Sequence, residues 1–71
     1  MQELEFTPTG EFIELHQLLK LSGLCDSGGA GKALVASGVV SVDGRQELRK
    51  TAKIRVGQCV TLGDVCIRVI R

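Results

Sequence analysis

Two groups of residues in the middle of the chain have the types and spacing that suit phosphate binding. The first is the glycine-rich run Gly28–Lys32, GGAGK. The second is a cluster of basic residues that follows Gly44, made of Arg45, Arg49, Lys50, Lys53 and Arg55. Lysine and arginine side chains and the free N–H groups at the start of a helix are common phosphate ligands. The two groups predict an anionic ligand, either a nucleotide or a polynucleotide.

The glycine-rich run does not satisfy the nucleotide-binding phosphate loop. The motif G-x-x-x-x-G-K-[ST] would end on Gly31 and Lys32, and it would need glycine at 26 and serine or threonine at 33. The chain has Asp26 and Ala33 at those positions. The hydroxyl that would hold magnesium is missing, and a chain of 71 residues is too short for a parallel nucleotide-binding sheet. Lys32, one turn into a helix, can still contact a phosphate of a polynucleotide.

Residues for catalysis or metal binding are sparse. The chain has one histidine, His16, and three cysteines, Cys25, Cys59 and Cys66, with no C-x-x-C pair. No catalytic triad or zinc site can be assembled from this set, so we predict neither an enzyme nor a metal or other cofactor. Cys59 and Cys66 could face each other across a hairpin, but we expect three thiols. An enzyme that uses Cys25, just before a helix N-terminus, remains a rival interpretation.

Charge is distributed unevenly along the chain although the net charge is only +1. Residues 1–31 carry one lysine, Lys20, and five acidic residues, whereas residues 32–71 carry eight basic and three acidic residues. Such asymmetry suggests an anionic partner, and its alternative explanation is a solvated face that also protects a sheet edge.

Composition favours a small folded domain. Hydrophobic residues make up 44% of the chain and charged residues 24%, which is typical of one soluble domain covering residues 1–71. No apolar run approaches the roughly 18 residues of a membrane span, and the N-terminal MQELEF lacks the features of a signal peptide. We therefore expect a cytoplasmic monomer that does not contact membranes.

Two helices are predicted in the first half. Apolar residues at helical spacing predict a helix over 11–22, with Thr9 as N-cap and Gly23 at its end. A second helix should run to Ser37, capped by Asp26 or Ser27 and terminated by Gly38.

Strands dominate the second half. Period-two alternation from Val39 onward, with a turn at Asp43-Gly44, predicts a hairpin. In its second strand Arg45 and Arg49 should project to one side and Lys50 to the other, unless the strand ends at Lys50. A second hairpin should turn at Gly63-Asp64, and residues 1–8 look extended. The sum is an α+β fold, with two N-terminal helices packed on a small, mostly antiparallel sheet.

The aromatic content indicates which kind of nucleic acid the protein would bind. There is no Trp or Tyr, and Phe6 and Phe12 both lie in the acidic N-terminal part. Proteins that bind single-stranded nucleic acid usually stack bases on aromatic side chains. We therefore expect this protein to contact mainly the phosphates and the shape of structured RNA.

The run from Ser27 to Gly44 resembles the alpha-L RNA-binding domain, the family named after the fourth protein of the small ribosomal subunit. That family typically shows Ser-Arg, an Ala three residues later, an aliphatic pair, Gly and then Val-x-Val-Asn-Gly. The matching positions are Ser27, Leu34, Val35, Gly38, Val40, Val42 and Gly44, with Asp43 in place of Asn. The likeness covers about residues 11–62, and the chain looks most similar to the stand-alone YbcJ-type bacterial members.

The resemblance implies an RNA-binding surface but departs from the family at two positions. The family's Arg is Gly28 here, and its helix Ala is Gly31. The contacts that carry over fall on other residues: Lys32, Arg45, Arg49, Lys50 and Lys53, with Lys20 as a weaker addition. Family members occur in ribosomal proteins, tRNA synthetases, pseudouridine synthases and ribosome-associated stress proteins. We thus expect a protein that binds structured RNA, ribosomal or transfer RNA, and the alternative is a protein-interaction module in a ribosome-associated or RNA-processing complex.

Overall fold

The computed structural model describes residues 2–71, which form two helices and seven short strands. In chain order these are β1 (Gln2–Phe6), β2 (Phe12–Glu14), α1 (Leu15–Leu21), α2 (Gly28–Ala36), β3 (Val40–Val42), β4 (Arg45–Gln46), β5 (Lys53–Arg55), β6 (Cys59–Leu62) and β7 (Val65–Val69). The predicted α+β class is confirmed. The helices, however, are not the first elements, because β1 and β2 precede them.

The strands form two sheets. Five of them have the order β1-β7-β6-β3-β4, in which only β1 and β7 run parallel, and β2 pairs antiparallel with β5 in a separate two-stranded sheet. The expectation of mostly antiparallel pairing is therefore confirmed. The helices cover one face of the larger sheet, and Leu15, Leu18, Val35, Val60 and Ile67 in the shared core are at most 1% exposed. In residues 2–71 no helix has the length and apolar character that crossing a membrane would require.

The predicted helix over 11–22 is wrong in its first turn. Phe12, Ile13 and Glu14 pair with Arg55, Ile54 and Lys53, and the helix begins only at Leu15, with Glu14 and not Thr9 at the N-cap position. Over so short a segment, both a helix and a strand would point Ile13 toward the core, so the sequence pattern does not distinguish them. The segment becomes a strand because it pairs with β5, about forty residues later in the chain. The predicted end is confirmed: Gly23 has φ +83°, and Gly23 and Leu24 donate to the carbonyls of Lys20 and Leu19.

The second helix follows its local signals. The Ser27 hydroxyl accepts a hydrogen bond from the Ala30 N–H at 3.1 Å, so Ser27 and not Asp26 is the cap. Gly38 follows the helix with φ +84°. The Asp43-Gly44 turn is also confirmed, since both residues have positive φ, 52° and 83°, as a two-residue hairpin requires.

The cysteines differ from the expectation of three thiols. Cys59 and Cys66 are joined by a disulfide across the β6–β7 hairpin, and Cys25 is free. Cys59 pairs with Arg68 and Cys66 with Thr61, so the two cysteines are diagonal neighbours on the face of the sheet away from the helices. Their Cα atoms are 6.5 Å apart, within the span of a disulfide. The register between the strands, which spacing alone does not give, creates this pair.

The two helices approach each other closely at Gly31. A Cβ atom built there would lie 2.6 Å from the backbone oxygen of His16, whereas one at Gly29 would meet only the Ser27 hydroxyl at 3.9 Å. His16 itself is only 6% exposed, at the edge of the core. The glycine found where the family has alanine therefore permits the close packing of α2 on the start of α1.

This contact predicts opposite effects for two glycine replacements. Gly31→Ala should lower the free energy of unfolding by about 1–2 kcal/mol, since forcing a methyl group against backbone outweighs the better helix propensity of alanine. Gly29→Ala, the matched control, should instead raise it by about 0.5–1 kcal/mol. Urea denaturation of both variants checks this, and a Gly31→Ala protein as stable as wild type would contradict the packing account.

Candidate nucleic-acid interface

The segment between β4 and β5 is held against the first turn of α1. The Leu15 N–H donates to the Ala52 carbonyl at 2.9 Å, and the His16 N–H donates to the Lys50 carbonyl at 3.1 Å. No side chain caps α1, so the loop supplies partners for N–H groups that a helix start leaves free. Ala52, the last residue of this loop, is buried. The backbone from Lys50 to Ala52 is thereby fixed.

This loop and α2 form the two walls of an open groove of about 720 Å³. Its basic residues come from both walls: Lys32 from α2, and Arg49, Lys50 and Lys53 from the loop and the start of β5. Leu48, Thr51 and Ala52 complete the lining. Four of the six side chains proposed from the sequence thus lie together, and we call this feature the basic groove.

The other two proposed residues lie elsewhere. Arg45 lines a separate depression whose walls include Asp43 and Glu47. Lys20 lies in the last turn of α1, whereas the loop contacts the first turn of that helix. Neither is among the residues from 2 to 71 that line the basic groove.

Arg49 is not on a strand, contrary to expectation. β4 ends at Gln46, and the chain then turns so that Glu47 binds Arg49. The Glu47 carboxylate accepts from the Arg49 backbone N–H at 3.0 Å and from the guanidinium through Nε and Nη2, each at 3.1 Å. The hydrogen bonds from the Arg49 side chain and then its backbone lower the pKa of Glu47, and the same side-chain bond raises the pKa of Arg49. The Arg49 side chain is still 79% exposed.

A polar network anchors the neighbouring turn. The two carboxylate oxygens of Asp43 accept from the Cys59 N–H at 2.9 Å and from the Gln58 side-chain amide at 3.3 Å. The amide oxygen of Gln58 accepts from the Arg55 N–H at 2.7 Å. Aspartate at the family's asparagine position thus links the β3–β4 turn to β5 and fixes the two hairpins relative to each other.

One residue at this surface, Phe12, was missed from the sequence. Phe12 was assigned to the acidic N-terminal part, but β2 places it opposite Arg55, with the Lys53 Nζ 4.9 Å and the Arg55 Cζ 5.6 Å from its ring centroid. Both are cation–π distances. Phe12 comes close to the basic residues because β2 pairs with β5, which is distant in the sequence. The sequence offered one signal of this strand, the alternation of Phe12, Ile13 and Glu14.

A basic groove made by a helix and the following hairpin loop, beside a small mixed sheet, is the arrangement of an alpha-L domain. The model of the S4 domain family matches residues 6–70, and this chain belongs to that family. YbcJ of Escherichia coli (strain K12) is 43% identical over 58 residues, which cover 82% of this chain and 83% of YbcJ, and YbcJ of Shigella flexneri gives the same values.

The fold comparison agrees. The solution structure of E. coli YbcJ, which reveals an alfaL motif involved in RNA binding, superposes with a TM-score of 0.70. The alignment covers all of this chain and 89% of that one, at 37% identity. The expected resemblance to the alpha-L family and to its YbcJ-type members is confirmed.

The Glu47–Arg49 pair predicts a pH-dependent stability term. Because the folded-state pKa of Glu47 is lowered, its contribution is complete above the ordinary value of 4.5 and is lost as pH falls through the lower folded value. The stability advantage of wild type over Glu47→Gln should therefore shrink as the pH falls from neutral to below 4.5. Urea denaturation at several pH values measures it. An advantage that stays constant across that range would show that the ion pair does not contribute.

Proposed function

We propose that this protein binds structured RNA, ribosomal or transfer RNA, by contacts from the basic groove to the phosphate backbone. The observation that carries the proposal is the convergence of Lys32, Arg49, Lys50 and Lys53 on one open groove. The loop and helix that carry these residues are already held by backbone hydrogen bonds and helix packing. The backbone therefore loses little conformational entropy when RNA binds. Membership of a family whose solved relative has an RNA-binding motif supports the same conclusion.

The side chains of the basic groove suit contacts to the RNA phosphate backbone better than recognition of a particular base sequence. Flexible lysine ammonium groups act as point charges toward phosphate, and phosphate contacts carry little sequence information. Arg45 and Lys20, which lie off the groove, would contribute long-range attraction or contacts to flanking phosphates. The protein would act as a cytoplasmic monomer, a single RNA-binding domain covering residues 1–71 without catalysis of its own.

The protein-interaction alternative has one observation in its favour. Leu48 lies in the groove wall and is 55% exposed, an apolar side chain that a protein partner could cover. A partner recovered from cells in equal amount before and after nuclease treatment would favour this alternative. Crosslinking in cells followed by sequencing of the bound RNA would identify the ligand under the main proposal.

The cysteine-enzyme rival receives no support from the geometry. The Cys25 thiol donates to the Ser27 carbonyl at 3.4 Å, a contact that an ionised thiolate could not make. Slow alkylation of Cys25 at neutral pH would remove this rival.

Salt titration tests the phosphate contacts. With four or five phosphates neutralised, the slope of log affinity against log salt for an RNA hairpin should be about −3 to −4. Lys32→Ala combined with Lys50→Ala should weaken all RNAs similarly and reduce the slope by about 1 for each lysine removed. Fluorescence anisotropy with labelled RNA at several salt concentrations measures both quantities.

A charge-matched control separates the groove from net charge. Arg68→Ala combined with Arg71→Ala removes the same charge, and Arg68 lies on the sheet face away from the helices, beside Glu3 and Glu5. This variant should change affinity and slope much less than the groove variant. Equal losses in the two variants would refute a localised groove, and absence of wild-type binding at low salt would refute RNA binding itself.

A further inference from the structure

Phe12 is held on the outer face of the two-stranded sheet. Within β2, Ile13 pairs with the buried Ile54 and points toward the core, so its neighbours project outward with the residues opposite them. Four side chains share this outer face: Phe12, Glu14, Lys53 and Arg55. Phe12 is 37% exposed, although Ile54 beside it is 1% exposed. Part of a large apolar ring therefore remains at the surface.

The groups around this ring are those that recognise a nucleotide. An aromatic ring stacks on a base, and a flexible cation that lies over the ring in the free protein moves aside to bind the phosphate or to stack on the base itself. Lys53 and Arg55 both lie within cation–π distance of Phe12. The Glu14 carboxylate, opposite Lys53, is outnumbered by these two cations. A nucleotide satisfies both the ring and the charges, whereas an apolar protein side chain would leave the cations without a partner.

Lys53 belongs both to the outer face around Phe12 and to the basic groove. Its side chain lines the groove and also lies over the Phe12 ring. An RNA backbone that follows Lys32 and Lys50 to Lys53 therefore reaches the ring without a break in positive charge. A base in a duplex is stacked and paired and cannot turn onto the ring, but an unpaired base in a loop or bulge can.

We propose that Phe12, flanked by Lys53 and Arg55, is a stacking site for one unpaired base of the RNA whose backbone lies in the basic groove. This inference rests on the proposed function and adds a substrate class to it. The preferred ligand is RNA in which a paired stem adjoins an unpaired loop or bulge. The sequence led us to expect contacts mainly to phosphates and to RNA shape, and the stacking site adds one base contact to these.

Two RNAs of equal phosphate number test the stacking site: a hairpin with an unpaired loop, and a fully paired duplex. Phe12→Leu keeps an apolar side chain but removes the aromatic face. It should weaken hairpin binding by about 5- to 150-fold, the range expected for the loss of one stacked base. Duplex binding should change less than about twofold, and the salt slope for the hairpin should be unchanged because no cation is removed.

A control and a direct readout complete the test. Leu21→Ala removes another exposed apolar side chain, at the far end of α1, and should leave both affinities unchanged. Phe12→Trp introduces the sole tryptophan of the chain. Its fluorescence should be quenched by the hairpin and much less by the duplex, and this signal does not depend on the leucine variant folding.

The outcomes separate this inference from the proposed function. If wild type binds neither RNA, the proposed function fails. If wild type binds both RNAs, the stacking site alone is refuted by any of three results: hairpin affinity unaffected by Phe12→Leu, equal loss for hairpin and duplex, or no selective quenching in Phe12→Trp.

Discussion

The hydrogen bonds from the first turn of α1 to the loop before β5 are the constraint on which the site depends. Leu15 and His16 have N–H groups that no side chain caps, and the carbonyls of Ala52 and Lys50 accept from them. The chain enters this turn directly from β2, which is itself paired with β5. One short segment therefore fixes the start of the helix and the backbone of the basic loop. The position of Lys50 and Lys53 follows from satisfying the buried backbone, which is a requirement of folding.

The other wall of the groove is positioned by packing. Gly31 lets α2 approach the His16 backbone, and this approach brings Lys32 toward the loop. The family's alanine and arginine positions are both glycine here, so α2 has no arginine in its first turn and carries Lys32 one turn into the helix. The basic groove is thus shared between α2, which has no acidic residue in its first turn, and a loop that is held by hydrogen bonds from α1.

Features encoded by neighbouring residues were predictable from the sequence. A helix cap at Asp26 or Ser27, Gly38 after the helix and the Asp43-Gly44 turn each depend on a few neighbouring residues. The structure confirms the last two and selects Ser27 as the cap. Features that depend on distant pairing were not. β2 looks like helix until β5 is placed beside it, and Cys59 and Cys66 become partners only through the register of their hairpin. The grouping of Lys32 with Lys50 was expected from the family resemblance. The position of Phe12 beside Arg55 was not expected, because Phe12 lies in the acidic N-terminal part of the sequence and only strand pairing brings it to the basic residues.

The central claim is that RNA occupies the basic groove, and a residue-by-residue map of binding tests it most directly. Backbone amide chemical shifts followed by NMR, while an RNA hairpin is titrated into the intact protein, provide that map. We predict that the largest changes occur at Lys32, from Arg49 to Lys53 and at Phe12. The residues Glu3, Glu5 and Cys66, on the opposite face of the five-stranded sheet, should change little. Changes concentrated on that opposite face, with the groove unaffected, would contradict the central claim.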